Sequence, residues 1–423
     1  MELLAGFLAL IVLLALGFPI FVAIGLSCVV FLQMGVLDPQ IFGETMFSGL
    51  NEFAFLAIPL FILTGTAIVE TGMSQRLLDL SLELFGSLKT GIGTSVSFGS
   101  GIFATISGSN AADSAAIGRM ALGPLEQVGY DRTYASAMIA SGSATGILIP
   151  PSISYIIAGI ALGVSVSQLF LATFVPGAIL LTGVILVNVV INRTRGYETD
   201  NREHQGFDAS DAAAALWRAK FALFVPFLIL GGIYSGVFTA TEAAIAAVTV
   251  IFVIGALTGT MSLSSYSRVL EESALVNGMI APIIATALIF GDILTLNQIP
   301  QMVAETVTTL STSYVVMILL MLVVFFVAGA TMELGPNILI LGPLFLPLAQ
   351  EFGMDPIHYT IFMMCAFGIG FITPPIGINL YVLSGISGES VMDISREAVP
   401  FMLVMLLLVL VIGLVPELSL VFF

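Results

Sequence analysis

Four short polar or proline-containing segments interrupt the long apolar stretches of this 423-residue sequence, and they hold the residues best suited to bind a ligand. Two are Ser107-Gly108-Ser109-Asn110 and Thr331-Met332-Glu333-Leu334, and two contain double prolines, Ile149-Pro150-Pro151-Ser152 and Thr373-Pro374-Pro375-Ile376. Proline removes an amide donor and clashes with the preceding helical turn, so each double proline should leave carbonyls without partners beside the free amides of the next helix. Such carbonyls suit a cation and such amides an anion. The alternative is a proline kink whose carbonyls bond to neighbouring Ser or Thr hydroxyls.

The ligand atoms in these segments are neutral oxygens. Ser and Thr hydroxyls with Gly and Pro carbonyls favour a weakly held alkali cation, whereas clustered Asp, Glu or Cys would indicate a tight divalent site. Cys28 and Cys365 both lie inside apolar runs, which predicts two buried thiols rather than a disulfide or a metal pair.

Four carboxylates lie in or near apolar segments and need partners there. Glu333 belongs to one of the polar segments and is the better functional candidate. Asp113 would fall in the first turn of a helix that starts after Asn110, so a capping role is at least as well supported as a transport role. Glu242 follows Thr239-Ala240-Thr241 and is typical of a helix N-terminal cap. No role is predicted for Asp292.

Composition places the chain in a membrane. It is 58% hydrophobic and only 9% charged, with a mean hydropathy of +1.12, and apolar stretches of about 20 residues recur along its length. A formal charge of −16 argues against nucleic acid as a partner. The first apolar run follows no basic residue and exceeds a signal-peptide core, so we expect it to remain in the mature protein. No Walker A, Gly-x-Ser-x-Gly, His-Glu-x-x-His or Cys-x-x-Cys motif occurs, which argues against an enzyme and against ATP hydrolysis.

The eleven Lys and Arg residues allow a test of topology. All of them fall on the cytoplasmic side if the N-terminus is cytoplasmic, if residues 91–123 and 313–350 form re-entrant hairpins, and if nine segments each cross once. Those nine segments are residues 3–34, 52–71, 131–162, 167–192, 216–235, 240–259, 277–294, 356–387 and 397–421. The opposite loops then contain acids but no Lys or Arg. This pattern predicts an all-α polytopic membrane protein with two re-entrant hairpins.

An internal repeat appears at an offset of 224 residues, at which the two double prolines and two Gly-x-Asp sequences coincide. An odd number of crossings separates the matched points, so the second copy should be inverted, an arrangement typical of secondary transporters. We therefore expect a first repeat at 1–192 with its broken helix at 131–162, and a second at 240–423 with its broken helix at 356–387. Between them lies 193–239, a cytoplasmic linker and connecting helix, with His204 in a solvated loop.

These residues resemble the large membrane (M) subunit of tripartite ATP-independent periplasmic (TRAP) transporters over most of the chain. The most specific segments are Ser107 to Asp113 with Ile117-Gly118, Gly129-Tyr130-Asp131, Gly146 to Ser152, Asp355 to His358, and Gly370 to Leu380. Asn110 and Asp113 depart from the residues expected of the family at the first tip, which leaves the solute open among C4-dicarboxylates, sugar acids, keto acids, sulfonates and zwitterionic osmolytes.

The resemblance implies an elevator mechanism of the ion-transporter superfamily type, coupled to Na⁺, in a bacterial or archaeal inner (cytoplasmic) membrane. It also implies a small four-helix membrane subunit (Q type) and a periplasmic substrate-binding protein (P type). By analogy, the amphipathic stretches 38–50, 74–88 and 262–276 would lie in the membrane interface as arms that brace the moving domain.

The pairing of tip and break within each repeat, together with the resemblance, predicts the site residues. One Na⁺ is expected at Ser107, Gly329, Gly370 and Thr373, with Pro374 beside it, and a second near Ser109, Ser152 and the first proline break. The substrate is expected between the tips, at Ser109, Asn110, Ser152, Ser154 and Glu333, because the amides at the start of the helix after the first tip favour a carboxylate or sulfonate.

Three other functions remain open from the sequence. A passive channel can also contain inverted repeats, although it would not need two hairpins that close on a buried site. Another ion-coupled carrier of the same superfamily could work without a binding protein. A membrane enzyme is disfavoured because no nucleophile and base, and no metal cluster, can be identified.

Overall fold

A computed structural model describes residues 2–36, 38–51, 53–107, 109–198 and 208–423 of the chain. Every regular element in these ranges is a helix, so the predicted all-α class is confirmed. Seven described helical segments are long and apolar enough to cross a membrane. The helices before the connecting segment are α1 (Glu2–Ala15), α2 (Ile20–Gln33), α3 (Pro39–Leu50), α4 (Ala57–Glu70), α5 (Met73–Phe85), α6 (Gly91–Ser107), α7 (Asn110–Gln127), α8 (Arg132–Gly146), α9 (Ile153–Leu162), α10 (Val166–Ala172) and α11 (Phe174–Arg195).

The chain continues after this segment with ten further helices. They are α12 (Ala209–Tyr234), α13 (Ala240–Thr258), α14 (Leu263–Leu296), α15 (Ile299–Leu310), α16 (Tyr314–Thr331), α17 (Leu334–Glu351), α18 (Pro356–Gly370), α19 (Ile378–Ser387), α20 (Val391–Leu414) and α21 (Glu417–Leu420). Helix starts recur in the frame of the sequence repeat. Asn110 and Leu334 begin α7 and α17, and Arg132 and Pro356 begin α8 and α18, each pair being 224 residues apart.

The N-terminal segment is a helical hairpin, so the prediction that residues 3–34 cross once is wrong. Gly17, with φ +81°, and Pro19 end α1 and start α2. The two helices lie side by side, because the Ser27 hydroxyl donates to the Gly6 carbonyl at 2.6 Å. Each helix has 14 residues and is about 21 Å long, less than the ~30 Å of a bilayer core. Both ends of the segment therefore lie on the same side of the membrane. The predicted topology counted one crossing here, so its argument for a cytoplasmic N-terminus no longer holds.

Helix α14 joins two segments that the sequence analysis had separated. The amphipathic stretch 262–276 and the apolar stretch 277–294 form one helix of 34 residues, about 51 Å long. Pro282 lies inside it, and the Thr286 hydroxyl donates to the Pro282 carbonyl at 2.9 Å. The predicted outer loop 295–312 also differs, because it contains α15, which packs against α17. The other two predicted amphipathic stretches correspond to α3 and α5.

The centre of the molecule consists of the two helices that precede the double prolines. Every residue of α8 from Tyr134 to Gly146, and of α18 from His358 to Gly370, is buried. Helices α6, α7, α11 and α16 pack around them. A second and smaller apolar cluster joins α2 to the C-terminal half of α14, through Phe31, Phe290 and Ile293. Most of the chain thus supports the two segments where helices break.

Candidate functional site

The first tip lies between α6 and α7. Ser109 is the N-cap residue of α7, and its hydroxyl accepts a hydrogen bond from the Ala112 amide at 3.5 Å. Ser109 is exposed, whereas Asn110 and Asp113 are buried. Gly108 and the side chain of Ser107, a predicted Na⁺ ligand, lie outside the described residues. The tip therefore presents one exposed hydroxyl and one buried amide at the start of a helix, where backbone amides are free.

The first break, residues 147–152 between α8 and α9, lies almost wholly inside the protein. The Thr173 hydroxyl donates to the Leu148 carbonyl at 2.5 Å and is 2.6 Å from the Tyr155 hydroxyl. The Leu148 carbonyl is thus bonded to a neighbouring hydroxyl, as expected for a simple proline kink rather than for a ligand site. Ser152 is 1% exposed, and its hydroxyl has no hydrogen-bond partner among the described residues. Ser154, in the next helix, is also buried.

The second tip and the second break are in direct backbone contact. A Cβ on Gly370 would lie 2.0 Å from the Gly329 carbonyl carbon, so only glycine allows this approach. The Ile376 amide donates to the Ala330 carbonyl at 3.2 Å, which ties the break to the tip. The Gly329 carbonyl has no hydrogen-bond donor within the described chain. The predicted Na⁺ residues Gly329 and Gly370 therefore meet, and an unpartnered carbonyl lies at their junction.

Thr373 is buried at the end of this break, and its hydroxyl donates to the Ile369 carbonyl at 2.9 Å. A hydroxyl that donates its proton still has lone pairs for a cation. Pro374, by contrast, is exposed, as are Pro375 and Ile376. The second break is therefore open where the first is buried, although the sequences of the two are alike.

Glu333 and Asn337 shape the second tip differently. Glu333 occupies the N-cap position of α17 without a side-chain cap bond and is exposed. Asn337 is buried, and its amide donates to the Ala328 and Met332 carbonyls at 3.1 and 3.2 Å. Asn337 thus closes the hairpin, while the carboxylate of Glu333 remains on the open side of the tip.

Three buried polar residues on the helices next to the tips and breaks were not predicted as site residues from the sequence. The Asn379 amide donates to the Ala140 carbonyl at 3.0 Å and so joins α19 to α8. Ser114 and Ser143, on α7 and α8, are fully buried, and their hydroxyls have no partner among the described residues. Asn379 could have been suspected, because it is a polar residue at the start of an apolar helix. Ser143 could not, because it is one of several small hydroxyl residues along α8.

A polar cluster closes the opposite end of the first hairpin. The Glu198 carboxylate is buried and accepts bonds from the Ile92 and Gly93 amides at 3.2 and 3.0 Å and from the Tyr130 hydroxyl at 2.7 Å. The Glu198 amide donates to the Val128 carbonyl at 3.0 Å. The predicted linker that begins at residue 193 is therefore not free of the first hairpin here, because Glu198 packs into its base. Residues 199–207, with His204, lie outside the described residues.

One ion pair and one hydrogen bond connect the ends of three helices beside this cluster. Arg195 pairs with Glu397 at 2.8 Å, and the Tyr197 hydroxyl donates to Asp131 at 2.6 Å. The C-terminal end of α11 and the N-terminal ends of α8 and α20 therefore lie together, at the end of the hairpin away from its tip.

The other two carboxylates, Glu242 and Asp292, accept hydrogen bonds, and both cysteines are free. Glu242 and Thr239 form a reciprocal capping box at the start of α13, which confirms the predicted cap. Asp292 accepts a bond from the Thr45 hydroxyl at 2.7 Å. Cys28 and Cys365 are free and buried, as predicted. No group of three His, Cys, Asp or Glu side chains converges anywhere in the described part of the chain.

Two helix–turn–helix tips and two proline-broken helices thus lie inside a multi-pass helical body, an arrangement typical of secondary transporters. A family model described as "Tripartite ATP-independent periplasmic transporter, DctM component" matches residues 7–418. The chain belongs to this family, and its curated relatives are permeases rather than enzymes.

Three relatives illustrate the range of the family. The chain is 37% identical over 378 residues to the C4-dicarboxylate TRAP transporter large permease protein DctM of Pseudomonas aeruginosa, covering 89% of this chain and 87% of that protein. It is 32% identical over 410 residues to the 2,3-diketo-L-gulonate TRAP transporter large permease protein YiaN of Escherichia coli K12, covering 96% and 95%. It is 33% identical over 426 residues to the isethionate TRAP transporter permease protein DctMQ of Oleidesulfovibrio alaskensis, covering all of this chain but 66% of that protein.

Two solved structures share the fold at low identity. The YdaH transporter of Alcanivorax borkumensis has a TM-score of 0.65 at 16% identity and covers 90% of this chain and 89% of its own. MtrF of Neisseria gonorrhoeae, from a class of antimetabolite efflux pumps, has a TM-score of 0.63 at 13% identity and covers 88% and 82%. At these identities the comparison supports the fold alone.

Proposed function

We propose that this chain is the large permease subunit of a Na⁺-driven TRAP importer for a small organic acid, in a bacterial or archaeal inner membrane. Family membership supports the permease role. The observation that carries the ion coupling is the junction of Gly329 and Gly370, where a carbonyl without a donor lies beside a helix break. A buried carbonyl left unpaired is costly, so such a group persists where it lines a cavity or binds a ligand.

The residues at this junction fit Na⁺. Neutral backbone carbonyls and the Thr373 hydroxyl are hard oxygen ligands, and acidic clusters that would favour a divalent ion do not occur in the described residues. The ion would supply the driving force through its gradient. Around it, Gly329 and Gly370 keep the tip and the break in contact, and Ile376 holds that contact through its bond to Ala330. Ser107 is the further candidate ligand for this ion, and Ser109, Ser152 and the first break are the corresponding candidates for a second Na⁺.

The substrate would lie against the first tip. The N-terminal amides of α7, with Ser109 and Asn110, favour a carboxylate or sulfonate. Isethionate, C4-dicarboxylates and 2,3-diketo-L-gulonate, named for the relatives, all carry such an acidic group. Ser152 and Ser154 would add hydroxyls. Glu333 would repel the acid and bind a hydroxyl or ammonium elsewhere on the solute. This arrangement selects an anion with a second polar group.

Transport would require two partners. A periplasmic binding protein would deliver the solute, and a small four-helix membrane subunit would pack on the helices outside the hairpins. The fused name DctMQ of the isethionate relative is consistent with the second partner. The hairpin-bearing helices would then move as an elevator against the remaining helices, carrying the two tips and both breaks together.

Uptake by proteoliposomes containing the permease and both partners tests this function. Wild-type uptake should saturate, require a Na⁺ gradient and the binding protein, and show counterflow. Thr373→Val removes the hydroxyl at nearly constant volume and should raise the half-maximal Na⁺ concentration about tenfold. Thr360→Val is the matched control on α18, because its buried hydroxyl is bound to the Pro356 carbonyl at 2.7 Å, far from the break.

The outcomes separate the alternatives. Flux without counterflow would indicate a channel, and uptake that needs no binding protein would indicate another carrier of the superfamily. If Thr373→Val and Thr360→Val give the same Na⁺ dependence as wild type, Thr373 is not a ligand. If wild-type uptake proceeds equally well without Na⁺, the proposed coupling is wrong.

A further inference from the structure

A group of buried polar side chains lies on α7, α8 and α19, beginning at Asn110 of the first tip and continuing below it. Asn110, Ser114, Ser143 and Asn379 are each at most 6% exposed, and each has side-chain atoms without a hydrogen-bond partner among the described residues. For Asn110 both the amide nitrogen and the oxygen lack a partner. For Asn379 the nitrogen is used and the oxygen remains. Burial of such groups without partners is unfavourable, so they indicate a ligand.

Helices α7, α8 and α19 pack against one another, and each of these residues lies on one of the three. Asn379 donates to Ala140, and Ser143 lies one turn further along α8. A Cβ on Gly118 of α7 would touch Leu383 of α19, so these two helices are in close contact one turn below Ser114 and Asn379. Both helices run from the tip and break towards the end marked by Asp131 and Glu397. They are therefore parallel, and Ser114 lies at the level of Asn379.

Ser114 and Ser143 differ from neighbouring serines in the hydrogen bonding of their hydroxyls. Ser136 and Ser141 on α8 donate to the carbonyls four residues earlier, at 2.8 Å each, and Ser95, Ser97 and Ser100 on α6 do the same. Such a bond is the usual solution for a buried helical hydroxyl. Ser114 and Ser143 do not make it, so their oxygens remain available to a ligand.

We propose that Ser114, Ser143 and Asn379 form an additional site for an alkali cation, reached from the first tip through Asn110. Two hydroxyls and an amide oxygen are neutral, hard ligands, which suit Na⁺ rather than a divalent ion. Asp113, next to Ser114 in the sequence, is fully buried on the same turn of α7. The described residues of α7, α8 and α19 nearest to Ser114, Ser143 and Asn379 include no Lys, Arg or His. The site rests on the proposed Na⁺ coupling and extends it by one ion position.

Thermal stabilisation of the purified protein by Na⁺ tests this site without transport. NaCl is titrated against choline chloride at constant ionic strength, with wild type, Ser143→Ala, Ser114→Ala and Ser141→Ala. Ser141→Ala makes the same chemical change on the same helix, but removes a hydroxyl that is already bonded to Ala137. Ser143→Ala and Ser114→Ala should each raise the half-maximal Na⁺ concentration about tenfold, the loss expected for one ligand to a charged group, and Ser141→Ala should not.

The comparison with Thr373→Val separates this inference from the proposed function. If Thr373→Val shifts the Na⁺ response while both serine variants match wild type, water satisfies the serines and the additional site is refuted. If wild type gains no stability from Na⁺ over choline, both the site and the proposed coupling fail. Should Ser143→Ala not fold, Ser114→Ala gives the same test from the opposite helix.

Discussion

Replacing Glu198 by alanine should destabilise the base of the first hairpin. Glu198 follows α11 and leads into the segment that joins it to α12, yet its carboxylate is 5% exposed and lies at the start of α6. It accepts bonds from two first-turn amides of α6, from Tyr130 between α7 and α8, and from Asn192 of α11 at 3.1 Å. One side chain thus fixes both limbs of the hairpin to the connecting segment.

The magnitude follows from the donors that would be left behind. Hydrogen bonds to a charged group contribute about 1.5–3 kcal/mol each, and loss of a helix N-terminal cap costs about 0.5–2 kcal/mol. Because the four donors share one carboxylate and water will reach some of them, we expect about 4 kcal/mol for Glu198→Ala rather than the full sum. Glu198→Gln keeps one acceptor oxygen but turns an NH₂ group towards donors, so we expect about 2 kcal/mol.

Hydrogen exchange and thermal unfolding measure this effect. Glu198→Ala should speed exchange of the Ile92 and Gly93 amides and lower the melting temperature, with Glu198→Gln intermediate. Asp208→Ala is the control for the exchange measurement, since it removes an exposed cap of α12 at the other end of the same segment and should leave exchange of the Ile92 and Gly93 amides unchanged. Exchange at Ile92 and Gly93 that is the same in Glu198→Ala as in wild type would refute the reasoning.

Three further changes test other parts of the structure. Because α1 and α2 form a hairpin, all basic residues stay cytoplasmic only if the N-terminus is periplasmic. The variant Glu2→Cys should therefore react with an impermeant maleimide in intact spheroplasts. Reaction only after permeabilisation would show that the N-terminus is cytoplasmic. Both native cysteines are buried and should leave the background low. Gly370→Ala would place a methyl group 2.0 Å from the Gly329 carbonyl carbon and should abolish Na⁺-dependent stabilisation. The control Gly385→Ala, on α19 with open space around it, should be neutral. A functional Gly370→Ala variant would contradict the close approach. Hydrogen bonds from Ser210 lower the pKa of Asp208, so this carboxylate stabilises the fold above its unfolded pKa, and that contribution is lost as the pH falls through the lower folded value. The difference in melting temperature between wild type and Asp208→Asn should accordingly be present at pH 7, begin to shrink as the pH falls below about 4, and vanish only below the lower folded pKa; a difference that does not shrink in acid would assign it to another cause.

The parts of the fold that depend on local chemistry could be predicted from the sequence. Double prolines cannot continue a helix, and Asp131 and Asp355 follow glycines with positive φ, so the starts of α8 and α18 are determined by neighbouring residues. Hydropathy alone could not reveal the turn at Gly17, because both flanking helices are apolar, although Pro19 was a visible signal. The fusion of 262–276 with 277–294 was missed because a change of composition was read as a boundary, whereas the helix continues through Gly278 and Pro282.

The polar contacts of the site could not be predicted in the same way. Three of the four donors to the Glu198 carboxylate lie 68 to 106 positions away, and the surroundings of Glu198 in the sequence are polar. Asn379 meets Ala140 across 239 residues. Such pairings depend on how helices pack, and a single sequence shows only that a polar residue is present. Gly329 and Gly370 were predicted as Na⁺ ligands from the pairing of tip and break and from the family resemblance, whereas their close backbone approach is visible only in the structure.

The small apolar cluster between α2 and α14 has a consequence for the synthesis of the protein. The Cys28 thiol lies 3.9 Å from the Thr286 carbonyl, 258 residues later in the chain. At roughly 5–20 residues per second, the ribosome needs on the order of 10–50 s to produce that partner. During this interval α1 and α2, each too short to span a bilayer core, must wait in or near the membrane with Phe31 uncovered. Whatever assists insertion must therefore hold α1 and α2 until more than half of the chain has been made.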